Sequence, residues 1–109
     1  MTTFDKREEG FEKKFAMDEE SRFKANARRN KLLGLWAAGL LGKTGAAAEA
    51  YAREIVAADF EKPGEEDVFE KVRHDLDARK VSISDHLLRR KMEELLDAAK
   101  HQIQSELKP

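Results

Sequence analysis

The sequence predicts an all-α protein: a four-helix bundle with a mobile, conditionally helical N-terminal arm. Three observations predict it. The 109 residues contain two Pro and no run of β-branched residues, so strand-forming composition is missing. From residue 18 onward, apolar side chains recur at helical spacing in four stretches separated by short connections, as an antiparallel bundle requires. Before residue 18 the apolar content is too thin to build a core. The division expected is therefore an arm over 1–17 and a bundle over 18–109, with helices at about 18–42, 46–62, 65–80 and 84–107.

The first helix is organised around the apolar run Leu32 to Leu41, which holds the single Trp, Trp36, and is interrupted by Gly34 and Gly39. Its ten residues are about half of a bilayer span, so it reads as a core helix with neighbours on several sides. Each internal Gly costs roughly 1 kcal/mol against Ala; the expected return is close approach of another helix. Asp18, Glu19 and Glu20 suit the helix start, and Gly42 is a stop signal. The turn Gly42-Lys43-Thr44-Gly45 invites comparison with a phosphate-binding P-loop, but Ala37 stands where the first Gly is needed and a helix precedes it. It reads as a helix–helix connection with Thr44 as N-cap.

In the second helix Ala48, Ala52, Ile55, Val56 and Phe60 mark the inward side, flanked by Tyr51. Pro63-Gly64 breaks the chain, and Glu65, Glu66 and Asp67 open the third helix, whose stripe is Val68, Phe69, Val72 and Leu76. Its successor starts either from a Ser82…Asp85 capping box or from Ser84 as N-cap. Leu88, Met92, Leu95, Leu96, Ala99, Ile103 and Leu107 then give the clearest helical period of the chain. The core expected from these stripes joins Leu33, Trp36, Leu40, Ile55, Phe69, Val72, Leu95 and Leu96.

Charged residues make up 39% of the chain, yet the net charge is -1. That balance gives a solvated surface and argues against a nucleic-acid partner, which favours a basic face. The absence of Cys excludes disulfides and thiol chemistry. No signal-peptide region follows Met1, so a soluble cytoplasmic protein without membrane insertion, monomeric when free, is expected. His74, His86 and His101 show no His-x-x-x-His spacing, and the carboxylates lie on polar helix faces. No catalytic or metal constellation stands out, and the chain is not expected to be an enzyme. Arg89-Arg90-Lys91 and the cluster from Arg22 to Lys31 could hold a phosphate or an acidic partner, or be solvated faces.

Residues 1–31 carry nine basic and seven acidic side chains. On a helix, Phe4, Phe11 and Phe15 fall within about 40° of one another. Arg22 takes the place where that stripe would continue, and Phe23 points elsewhere. A helix this short is marginal in water, and Gly10 weakens it further. The arm thus reads as a segment that orders against a partner groove, or as a frayed extension touching its own bundle.

The run Phe23-Lys24-Ala25-Asn26-Ala27-Arg28-Arg29-Asn30-Lys31-Leu32-Leu33-Gly34-Leu35-Trp36-Ala37-Ala38-Gly39-Leu40-Leu41-Gly42 resembles the zeta subunit family, the regulatory inhibitor of the F-type ATP synthase in alphaproteobacteria. The stretch from Tyr51 to Glu61 and Gly64-Glu65-Glu66-Asp67-Val68 support the resemblance. It implies a four-helix bundle whose N-terminal region becomes helical in a catalytic interface of the synthase head, meets the rotor stalk, and blocks ATP hydrolysis. Phe4, Lys6, Arg7, Phe11, Lys13, Lys14 and Phe15 would then be the inhibitory contact set. The family also implies weak ADP or ATP binding by the bundle, with no cofactor required. Arg28, Arg29 and Lys31 are the electrostatic candidates for it. Against inhibition stands a helical adaptor or nucleotide-sensing module.

Overall fold

The computed structural model describes residues 18–61 and 64–107. They form four helices, α1 Glu19–Leu40, α2 Gly45–Glu61, α3 Glu65–Ala78 and α4 Asp85–Leu107, and no strand. The inhibitory-arm residues proposed from the sequence, Phe4 to Phe15, lie outside the described residues. No helix among the described residues is long and apolar enough to cross a membrane.

Each helix end has a local cause. Asp18 caps α1, its carboxylate accepting from the Ser21 N–H at 2.7 Å. That bond to the Ser21 backbone, aided by the Ser21 side chain, holds the Asp18 carboxyl below its usual range. α1 ends in a Schellman turn. The N–H of Lys43 reaches the Ala38 carbonyl at 2.8 Å and that of Gly42 reaches Gly39 at 3.2 Å, with Gly42 at φ 78. The Thr44 carbonyl accepts from Ala47 and Ala48 as α2 starts.

α3 ends at Ala78, two residues before the expected end, in a second Schellman turn. Val81 bonds back to Leu76 and Lys80 to Asp77, each at 2.9 Å, which places Lys80 at φ 57. A non-Gly residue in that conformation is strained by contact of Cβ with its own backbone. Lys80→Gly should therefore stabilise the protein by about 0.5–1 kcal/mol, read as a rise in thermal midpoint. Ser84 is the cap at the start of α4, accepting from the Leu87 N–H at 3.1 Å; this decides between the two caps that the sequence allowed.

Successive helices run antiparallel, as the pairings along them show. Between α2 and α3, Tyr51 donates to Asp75 at 2.8 Å and Lys71 pairs with Glu54. Between α3 and α4, Arg89 grips both carboxylate oxygens of Glu66 at 2.8 and 3.2 Å while its guanidinium lies 3.9 Å from the Phe69 ring centroid. α4 returns along α1, with Arg28 on Glu106 and Lys91 over Trp36.

Leu33, Ala37, Ala38, Leu41, Tyr51, Ile55, Val68, Phe69, Val72, Leu76, Leu88 and Met92 form the central core. Of the expected core, Leu33, Ile55, Phe69 and Val72 are buried. Trp36 and Leu95 pack partly buried against it, and Leu96 lines a cavity beside it. Leu40 is a correction: it is 41% exposed. The buried side of α1 follows Ser21, Ala25, Arg29, Leu33, Ala37 and Leu41, with Asn30, Gly34 and Ala38 alongside. Every step is four residues, which advances the face by about 40°. The face therefore winds around α1, as expected for a helix crossing neighbours at an angle, and reaches Leu41 instead of Leu40. Leu107 and Phe60, also read as inward, are exposed at helix ends.

Gly34 returns the close approach expected of it. A Cβ there would lie 2.6 Å from the Ala52 Cα, so only Gly lets the α1 and α2 backbones meet. Gly39 has no such role; a Cβ there would meet nothing within 4 Å.

Candidate functional site

The antiparallel order brings the start of α1, the end of α2, the start of α3 and the end of α4 to one end of the bundle. The same end carries Asp18, where the N-terminal arm joins. Phe23 and Phe60 sit here, 54% and 61% exposed. Their rings meet edge-to-face with centroids 5.2 Å apart, a geometry favoured by the ring quadrupoles. Beside them lies a cavity of about 340 Å³, bounded further by Ala27, Val56 and Leu96 on its apolar side and by Arg29, Asp59 and Glu65 on its polar side.

A short polar network builds the polar side. Arg29 is 3% exposed and donates from Nε to Asn30 Oδ1 at 2.7 Å. Asn30, fully buried, donates from Nδ2 to Asp59 at 3.0 Å. The other Asp59 oxygen accepts from the Gly64 N–H at 3.2 Å. The network thereby ties α1 to the end of α2 and to the turn before α3. Each bond contributes about 0.5–1.5 kcal/mol net, and losing one partner of a buried group costs more than that. Gly64 sits at φ 148, which a residue with a side chain rarely adopts. Burial pushes the Arg29 guanidinium down from its usual range, opposed by Glu65 and Asp59. Glu65 compensates it loosely, at 3.7 Å.

The three basic residues singled out in the sequence are not brought to one point. Arg28 turns toward α4, where Nη1 and Nη2 bond to both Glu106 oxygens at 2.8 and 3.0 Å and Nη1 also reaches Gln102. That pairing lowers the Glu106 carboxyl and raises Arg28. Arg29 turns inward to the polar network. Lys31 is exposed and, with Lys24 and Arg28, borders a neighbouring depression that shares Phe23 and Val56 with the cavity. Adjacent positions on a helix point about 100° apart, so three cations within four residues cannot converge unaided.

Sequence reasoning missed the part played by Asn30, Asp59 and the Phe23–Phe60 pair. Asn30 has a readable signal: a polar residue four positions before Gly34 on the buried row. For Phe60 there was none, because its neighbour Phe23 is 37 residues away in the chain.

Two comparisons with known proteins bear on identity. A family model described as ATPase inhibitor subunit zeta matches residues 1–102. A solved structure, titled a solution NMR structure of the protein, is 52% identical with a TM-score of 0.68, and the match covers 79% of this chain and 98% of that one. A comparison with curated proteins found no match. The family match takes in the arm as well as all but the last residues of α4, and so the chain belongs to the ATPase inhibitor subunit zeta family.

Proposed function

We propose that this protein inhibits ATP hydrolysis by the F-type ATP synthase, and that the arm over residues 1–17 is the part that does so. The observation that carries the reading is the family match, which runs from residue 1 to residue 102 and includes the arm. The arm would enter a catalytic interface of the head as a helix and touch the rotor stalk, with Phe4, Phe11 and Phe15 supplying apolar burial. Lys6, Arg7, Lys13 and Lys14 would orient it against a charged interface.

Such an arm acts in one direction. The interface closes during hydrolysis and opens during synthesis, so a wedge in it is trapped by one rotation and released by the other. The inhibitor needs no catalytic group of its own. The test is ATP hydrolysis by the cognate synthase head with and without the protein. Inhibition supports the reading. Unchanged hydrolysis, together with capture of an unrelated complex, would replace it with the helical adaptor.

For a nucleotide on the bundle, two of the three basic candidates are already engaged. Arg28 is held by Glu106, and Arg29 serves the polar network. If ADP or ATP binds, the reading gives an affinity on the order of micromolar to millimolar, without turnover. Titration should then move resonances of α1 and release no phosphate.

A further inference from the structure

The outward side of α2 has the pattern of a surface that meets a copy of itself. Arg53, Ala57 and Glu61 follow one another at four-residue steps, and all three are exposed. Those steps put the two charges about 6 Å to either side of Ala57 along the helix and about 40° to either side around it. Among the described residues neither charged side chain has an ion pair or hydrogen bond, and Glu49, one turn before Arg53, does not pair with it. A partner of one charge sign would meet a like charge at one of these positions. A partner carrying the same pair in reverse order meets an opposite charge at both, and a second copy turned end for end is such a partner.

The shape is self-complementary as well. Phe60 stands out at the end of this side of α2, largely exposed. One turn back, toward α1, is a depression of about 530 Å³. Ala52, Val56 and Ala57 form its apolar lining, and Lys31 and Arg53 are its cations. A two-fold axis through Ala57 runs two α2 helices antiparallel. It sets Arg53 of each copy level with Glu61 of the other. It also carries each Phe60 about 4.5 Å past the axis on the flank toward α1, where the depression of the other copy lies. The ring face then attracts the charges of Lys31 and Arg53.

We propose that this side of α2 is a homodimer interface, two copies pairing about Ala57 through reciprocal Arg53–Glu61 contacts and exchanged Phe60 rings. The pairing goes beyond the inhibitory reading and does not rest on it. Because Phe60 and the Asp18 cap are at the same end of the bundle, the dimer sets the two arm-bearing ends side by side. A handful of side chains per copy meets, against about 20–30 residues a side in a standard interface. The dissociation constant is therefore on the order of 0.1 mM, and at low concentration the dimer gives way to the monomer expected of the free chain.

Sedimentation equilibrium of the full-length protein from about 10 μM to 1 mM spans that constant. Arg53→Glu and, separately, Glu61→Arg place like charges opposite each other twice, and each should weaken association at least about tenfold. Mixed one to one, the two variants should pair with each other within about threefold of the parent, since every charge again meets its opposite. Phe60→Ser should weaken pairing at least about tenfold and leave the core intact, because Phe60 lies outside it. In a mixture of isotope-labelled and unlabelled chains, intermolecular NOEs should join the Phe60 ring to the methyl groups of Val56 and Ala57. A monomer throughout the range overturns the proposal. So does association that the charge reversals leave unchanged, or a mixture of the two variants that stays monomeric. Intermolecular NOEs to α2 from residues 1–17, or confined to Leu40 and Leu87, also overturn it, since another surface then makes the contact.

Discussion

Deleting residues 1–17 should abolish inhibition of ATP hydrolysis and leave the four helices folded. The expectation follows from where the core lies. The central cluster runs from Leu33 to Met92, and the Asp18 cap that starts α1 remains after the cut. Phe11→Ala with Phe15→Ala should do most of the same damage. A fully buried Phe contributes roughly 1.5–3 kcal/mol, so losing two weakens binding about a hundredfold or more. A peptide of residues 1–20 should still inhibit, at higher concentration, because it must order itself without the bundle to position it. The measurements are steady-state hydrolysis by the synthase head and circular dichroism of each variant. If the truncated bundle stays helical and inhibits as well as the intact chain, the contact surface lies on the bundle and the arm is a bystander.

Leu33→Ala should cost about 2–5 kcal/mol, whereas Leu40→Ala should cost less than about 1 kcal/mol. Both residues belong to the same apolar run on α1, seven positions apart. Leu33 is completely buried and belongs to the central cluster, while Leu40 is 41% exposed. Truncating Leu33 leaves a cavity that the close α1–α2 contact at Gly34 cannot collapse to fill. Truncating Leu40 leaves nothing, since water replaces the lost methyl groups. For a domain of this size the first variant should lower the thermal midpoint by at least about 10 °C, and the second should scarcely move it. Equal effects would mean that Leu40 is covered in solution, by a neighbour or a second copy.

The contrast between these two leucines also shows how far periodicity carries. In α3, Val68, Phe69, Val72 and Leu76 were read as the inward stripe and are all buried. That helix is short and packs on one side throughout, so a fixed period describes it. α1 is 22 residues long and crosses its neighbours, so its buried face rotates along its length. A fixed period then assigns Leu40 to the core in place of Leu41. The same limit applies at helix ends. Ile103 is buried, yet Leu107, one turn further, stands exposed. Spacing says which side of a helix is apolar; it does not say where the covering neighbour stops.

The candidate site was legible in part for a related reason. The arm and its Phe stripe are local patterns, as is the resemblance carried by the run from Phe23 to Gly42. The basic residues Arg28, Arg29 and Lys31 were visible as charges, but the carboxylates that Arg28 and Arg29 pair with, Glu106 and Glu65, lie on two helices far along the chain. Charge pairing in a fold depends on distance in space, which residue order does not encode.

Residue order alone was enough for the helical class, the presence of four helices, the stop at Gly42 and the family. All of these rest on interactions within a few residues: hydrogen bonds four apart, caps, and the intolerance of a left-handed turn for most side chains. Helix packing settled that Gly34 seats Ala52 while Gly39 seats nothing, that Arg28 and Arg29 serve different partners, and that Phe23 meets Phe60 beside a cavity at the arm-bearing end. Those outcomes depend on the crossing of helices, because packing brings together side chains that the chain order keeps apart.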